Sequence, residues 1–172
     1  MERLRSDDIE GARLFLEETA RACDLATFGA VVLPAVQRLI PSVVACYAQV
    51  DPARGKLIAQ ETYPNAAFPS AGREAFERYM VEHPVFQAWA ASGIGSALRR
   101  SDVLSRRQWH RFSLYQEVYK PLGCDDSMPI GLPAPAGLIA CICLERDGEF
   151  SDRAVQLLEL VRPHIVQMYR NA

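Results

Sequence analysis

Apolar residues recur along this chain with two different periods. Helical spacing rules both ends. Ser6-Asp7-Asp8 opens a segment carrying Ile9, Ala12, Phe15, Leu16, Thr19, Ala20 and Cys23 on one side. Asp24 then caps a second helix with Leu25, Phe28, Val32, Ala35, Val36 and Leu39 at helical spacing, Pro34 midway and Pro41-Ser42 as its stop. Strand composition takes over at Val43–Val50 and Lys56–Tyr63, and the turn Asp51-Pro52-Ala53-Arg54-Gly55 between them predicts a hairpin. A second hairpin is predicted from Cys124–Leu132 and Leu138–Glu145 around Pro133-Ala134-Pro135-Ala136-Gly137.

The run Leu138–Leu144 is unbroken in its apolar character, as expected of a strand covered on both faces. Leu138, Ala140, Ile142 and Leu144 point one way, while Ile139, Cys141 and Cys143 point the other. After Asp147-Gly148, Ser151 is an N-cap and Asp152 stands in the first turn of the longest helical pattern, which runs to Tyr169 and bends at Pro163. Its apolar arc, from Ala154 through Val161 to Met168, is wider than contact with a sheet requires. The helix should lie on the sheet and also meet another helix, in its own chain or in a partner.

The middle of the chain is different. Pro64–Gly72 reads as a loop, Arg73–Val81 as a helix, and Pro84 starts a short helix bearing Phe86 and Trp89. After the break at Ser92-Gly93-Ile94-Gly95, Ala97–Arg100 reads as a short edge strand. Ser101 and Ser105 are successive caps before a helix over Arg106–Tyr119, stopped by Pro121-Leu122-Gly123. The order predicts an α+β domain spanning residues 1–172. Its antiparallel sheet of about five strands has the terminal helices on one face and a helical insertion on the other.

Charge and composition narrow the function. A net charge of −2 offers no electrostatic footprint for nucleic acid. No apolar run approaches the roughly 20 residues of a membrane span. Met1-Glu2-Arg3-Leu4-Arg5 leads into polar residues, not a secretory core, so a cytoplasmic location is expected. The five cysteines, Cys23, Cys46, Cys124, Cys141 and Cys143, include no Cys-x-x-Cys and are expected to be reduced. The three histidines, His83, His110 and His164, have no ligand at metal spacing, so neither a metal nor a cofactor is expected. Hydrolase and phosphate-loop motifs are missing, so an enzyme is not expected.

Chemistry concentrates in the aromatic-rich insertion, with Tyr63, Phe68, Tyr79, Phe86, Trp89, Trp109, Tyr115 and Tyr119. The small Cys141/Cys143 face of its strand would leave room beneath it. Candidate ligand-binding residues are Tyr63, His83, Phe86, Trp89, Trp109, Tyr115, Ser127, Cys141 and Cys143. A second reading stays open, in which the aromatics only fill a core. Arg99, Arg100, Arg106, Arg107 and Arg111 form a basic cluster, read as a solvated face paired with Asp102 and nearby acids. Asp125-Asp126-Ser127 reads equally as a surface turn or a ligand contact.

Six motifs occur in order: Ile40-Pro41-Ser42, Glu82-His83-Pro84, Ser101-Asp102-Val103-Leu104-Ser105, Tyr119-Lys120-Pro121-Leu122-Gly123, Phe150-Ser151-Asp152-Arg153 and Arg162-Pro163-His164. Together they resemble the GAF-like N-terminal sensor domain of LuxR-type helix-turn-helix transcriptional regulators, from about Asp8 to Ala172. The resemblance implies a GAF/PAS-like fold, a homodimer through the terminal helices and a small-molecule pocket beneath the middle helices. It also implies that DNA is reached only through a helix-turn-helix domain, which this sequence does not contain. An excised sensor, a stand-alone relative and a ligand-free interaction module are all compatible with that. Some GAF domains resemble thiol-dependent reductases of free methionine sulfoxide, but the cysteine motifs here do not match theirs.

Overall fold

The computed structural model describes residues 4–20, 24–65, 70–93 and 95–172. Two hairpins make the sheet: Val44–Asp51 (β1) with Lys56–Tyr63 (β2), and Asp126–Leu132 (β3) with Ile139–Arg146 (β4). All pairings are antiparallel in the order β2-β1-β4-β3. The apolar run is therefore a central strand, and from Ile139 to Glu145 it is buried along its whole length. The helices are α1 (Ser6–Thr19), α2 (Leu25–Leu39), α3 (Ser70–Tyr79), α4 (Pro84–Ser92), α5 (Arg100–Val103), α6 (Arg106–Trp109) and α7 (Asp152–Asn171). A 3-10 turn, Met80–Glu82, links α3 to α4, and a π-helical turn spans Tyr115–Tyr119.

Side-chain alternation sorts the core into two halves. Ala45, Tyr47, Met128, Ile130, Leu132, Ala140, Ile142 and Leu144 face α1, α2 and α7, where they meet Phe15, Phe28, Val32, Val36, Leu158, Val161 and Ile165. Ala48, Val50, Leu57, Ile139 and Cys141 face the insertion, with Trp89, Trp109, Leu114 and Tyr119 above them. The sheet thus separates both tryptophans from Val161, as the sequence order predicts.

The terminal helices are pinned by polar contacts at their margins. Arg153 of α7 grips the Asp8 carboxylate of α1 with its Nε and Nη2 at 2.6–2.9 Å. His164 and Thr19 meet at 3.0 Å, and the Tyr47 and Tyr169 hydroxyls at 3.1 Å. The wide apolar arc of α7 is largely covered within its own chain: Leu157, Leu158, Val161, Ile165 and Met168 are buried, while Leu160 stays exposed.

Two expectations are corrected. The sheet has four strands, not about five, because Ala97–Arg100 does not join it. That segment runs along the β3 edge with two backbone bonds, Leu98 N–H to the Pro129 carbonyl at 3.4 Å and Gly131 N–H to the Gly95 carbonyl at 3.0 Å. Pro129 has no N–H with which to extend a ladder. Arg100 is instead drawn into α5, whose start is capped by Asp102 accepting the Arg99 N–H at 3.0 Å.

The helix expected over Arg106–Tyr119 is likewise broken at 110–112. Side chains take up backbone groups freed there: Glu82 accepts the Leu114 N–H at 3.0 Å, and Gln116 donates to the His110 carbonyl at 2.7 Å. The chain then widens, with Lys120 N–H reaching the Tyr115 carbonyl at 2.8 Å. Cys23, Phe68 and Ile94, all part of the sequence reading, lie outside the described residues.

The basic cluster and the acidic pair beside β3 prove to be one clamp. Arg100 is fully buried; it donates to the Asp125 carbonyl at 3.1 Å and the Leu104 carbonyl at 2.9 Å, with its Nε 3.5 Å from Asp126. Asp126 also accepts from the Ser101 N–H and hydroxyl and the Phe150 N–H at 2.8–3.0 Å. Arg106 and His110 hold Asp125 at 2.6 and 2.5 Å. Arg99 binds Asp102, Asp152 and the Phe150 carbonyl at 2.7–3.0 Å, whereas Arg107 and Arg111 are exposed. The insertion is therefore fastened to the start of α7.

Candidate functional site

Strands β1 and β4 lie side by side, with Cys46 opposite Cys143 and Ala48 opposite Cys141. These short side chains face the insertion and leave a gap that bulkier residues would close. Phe76, His83, Phe86, Tyr119 and Leu122 roof it, with Val44, Leu57, Gln60 and Glu145 completing the lining. The free volume is about 30 Å³, room for roughly one water molecule. Organic-ligand pockets are typically about 300–1,000 Å³. An organic guest would have to lift the roof.

The floor is polar in an otherwise apolar layer. Cys143 Sγ lies 2.9 Å from Glu145 Oε1 and 3.1 Å from Ser127 Oγ, and Ser127 Oγ is 3.2 Å from the same carboxyl oxygen. Cys46 Sγ, Cys143 Sγ and a Glu145 oxygen all lie within 4.8 Å of one another. In the roof, His83 Nε2 meets the Tyr119 hydroxyl at 3.2 Å, while His83 Nδ1 accepts the Phe86 N–H at 3.3 Å. With Nδ1 accepting, the neutral ring carries its proton on Nε2 and donates to Tyr119.

Burial sets the ionisation of these groups. Desolvation pushes His83 down to about 3, so the ring is neutral at physiological pH. It pushes the Glu145 carboxyl well above its ordinary range, with Cys46 and Asp126 adding to the rise. Cys141 and Cys143 are raised by the same desolvation. Glu145 Oε2 is buried with no hydrogen-bond partner. A buried polar atom in that position costs free energy unless something satisfies it.

Among the residues singled out from sequence, His83, Phe86, Cys141 and Cys143 line the cavity, and Ser127 bonds to its floor. Trp89 and Trp109 sit in the insertion core, each with a buried Nε1 lacking a partner; Trp109 packs on Tyr119 at 5.2 Å. Tyr115 stacks on His110 at 4.2 Å. Tyr63 is exposed at the end of β2, beside Gly29 and Pro34, and belongs to a different surface. Cys46 and Glu145 were missed as site residues. Strand alternation could have found Glu145, which shares the parity of Cys141 and Cys143; Cys46 needed the β1–β4 register.

The antiparallel sheet with terminal helices on one face and a helical lid on the other is a GAF-like fold. Solved structures with this fold include the LBD domain of VqsR from Pseudomonas aeruginosa, with 15% identity, a TM-score of 0.67 and 97% of this chain matched to 96% of that one. CepR2 from Burkholderia cenocepacia, an N-acylhomoserine lactone-dependent LuxR family transcription factor, matches with 10% identity, a TM-score of 0.61 and coverage of 95% and 93%. The phycoerythrobilin-bound GAF domain of a cyanobacterial phytochrome matches with 10% identity, a TM-score of 0.57 and coverage of 96% and 95%. No family model and no curated protein matches the sequence. Among the described residues no helix is long and apolar enough to cross a membrane.

Proposed function

We propose that this chain is a ligand-sensing regulatory domain of the LuxR type, in which a small molecule enters between the sheet and the insertion. The observation that carries this reading is the Glu145 carboxyl, buried on the cavity floor with one oxygen unpartnered. A guest with one hydrogen-bonding group would satisfy that oxygen, and its apolar part would rest against Phe76, Phe86 and Leu122. Because the closed cavity is small, binding and displacement of the insertion are one event. The N-acylhomoserine lactone dependence of CepR2 and the phycoerythrobilin bound in the phytochrome GAF domain support the reading.

Displacement has a direct route to α7. Between α4 and α5 the chain passes alongside that helix: Glu159 accepts the Ala97 N–H, and a methyl group on Gly95 would stand 2.5 Å from Arg162 Nη2. Arg99 then ties α5 to Asp152 in the first turn. A ligand acts on an attached output module by its difference in affinity between two positions of this strap and α7. In this reading the domain works in the cytoplasm and pairs with a second copy through Ile9, Leu14 and Leu16 of α1 and Leu160 of α7, which are large, apolar and exposed. Contact with DNA belongs to an attached domain.

A thiol reductase is the weaker reading. A nucleophilic cysteine needs a lowered pKa, and burial raises Cys141 and Cys143 and pushes Cys124 up to about 12.

The test is thermal melting against a metabolite panel, followed by hydrogen exchange with any compound that stabilises the protein. The expected result is a raised melting temperature with altered exchange in both the insertion and the first turns of α7. Stabilisation that leaves α7 exchange unchanged would refute the coupling, and sedimentation as a monomer at tens of micromolar would refute the pairing.

A further inference from the structure

We propose that Cys46, Cys143 and Glu145 form a binding site for a soft divalent cation, zinc above all, on the cavity floor. The inference stands apart from the organic-ligand reading. It begins with size: about 30 Å³ is too little for an organic molecule but enough for an ion held by the walls themselves. It continues with geometry. The three ligand atoms already lie within 4.8 Å of one another. Tetrahedral zinc with Zn–S near 2.3 Å and Zn–O near 2.0 Å places two sulfurs roughly 3.8 Å apart and a sulfur and oxygen roughly 3.5 Å apart. Cys143 Sγ is now 2.9 Å from Glu145 Oε1, so the carboxyl already stands close to the sulfur–oxygen spacing that a shared zinc requires.

The donor set selects the metal. Two thiolates favour zinc or its soft relatives over magnesium and calcium, which take oxygen ligands. The register of β1 and β4 fixes Cys46 and Cys143 on one face from two strands, and Glu145 follows Cys143 on that face. Ser127, bonded to both Cys143 and Glu145, orients them from behind. Glu145 Oε2, the unpartnered atom, is free to serve as the ligand oxygen, while the Cys143 hydrogen bond to Oε1 gives way as the thiol loses its proton. Coordination replaces protons: the cation takes the places of the Cys46 and Cys143 thiol protons and the Glu145 carboxyl proton, and all three leave to solvent. Three protein ligands leave a fourth tetrahedral position, which adjoins the cavity.

The experiment uses the full chain under reductant, with zinc alone and with cobalt(II) as its spectroscopic stand-in. Zinc is titrated against a chromophoric chelator. The expected result is one zinc per chain, a sulfur-to-cobalt charge-transfer band, and a rise in melting temperature on loading. Cys46→Ser and Cys143→Ser should each abolish the band and weaken zinc by more than about 100-fold. Glu145→Gln should keep the band while weakening affinity. Cys124→Ser, which removes none of the three ligands, should bind as wild type. Absence of stoichiometric zinc, or a band that survives both Cys46→Ser and Cys143→Ser, overturns the proposal. Metabolite-dependent stabilisation measured with chelator present is independent of this outcome, so failure of the cation site and failure of the sensor reading are read separately.

Discussion

The two faces of one central strand were built to different rules. On the helix side of β4, Ala140, Ile142 and Leu144 are fully buried among apolar neighbours, and the polar contacts of α1 and α7 lie at the margin. On the insertion side, Cys141, Cys143 and Glu145 hold thiols and a carboxyl at the same depth, with one oxygen left over. A face that needed only stability would not place an unsatisfied carboxyl there, since an apolar residue of similar volume is usually neutral or stabilising in its place. The helix side holds the domain together, whereas the insertion side keeps an arrangement that is costly on its own.

The largest expected effect breaks the first half of that contrast. Ile142 is wholly buried between the sheet and the terminal helices. Ile142→Ala should cost about 3 kcal/mol in chemical denaturation, through lost transfer energy plus the cavity it leaves. The affinity of the floor cluster for zinc, measured on the folded fraction, should be unchanged. A loss of less than about 1 kcal/mol would mean that the helix side is far looser than its burial indicates.

This division was partly legible in the residues. Period-two alternation separated Ile142 and Leu144 from Cys141 and Cys143, and the caps at Asp24 and Ser151 are in place: each accepts a backbone N–H from the residue three ahead. What escaped is what depends on pairing. Cys46 enters the site only because β1 lies against β4 in one register, a non-local fact that no window of sequence carries. Glu145 is a polar residue at the end of the predicted strand Leu138–Glu145, yet its parity turns it inward. The apparent edge strand at Ala97–Arg100 failed for a related reason: its side chains suit a strand, but Pro129 on its neighbour cannot donate.

A smaller effect sharpens the other half. Below its ordinary pKa near 4.5, Glu145 is protonated whether folded or unfolded, so Glu145→Gln should leave stability nearly unchanged there. Above that value the unfolded chain ionises while burial keeps the native carboxyl protonated. The native state then holds more protons, and wild-type stability falls as pH rises. Gln escapes this penalty. One pH unit above 4.5 the variant should have gained about 1.4 kcal/mol on wild type relative to their difference well below 4.5, measured by urea unfolding in chelated buffer. A constant difference across that window would show that the carboxyl ionises freely in the folded protein.

The smallest effect has the opposite sign and belongs to the helix side. Arg153 holds Asp8 below the ordinary carboxylate range by direct hydrogen bonds, against some desolvation. A lowered folded pKa means that this contribution is complete above the unfolded value near 3.8 and is lost as pH falls through the lower, folded one. Asp8→Asn keeps the shape but removes the charge. It should cost about 1 kcal/mol at neutral pH, typical of a partly buried charge-assisted bond, and converge with wild type in strong acid. Because Arg153 lies in the first turns of α7 and Asp8 in the first turn of α1, the same variant should raise exchange at both helix starts. Opposite pH slopes for the Asp8 and Glu145 variants would show that the sheet divides two electrostatic environments. Equal slopes would mean that it divides only two sets of side chains.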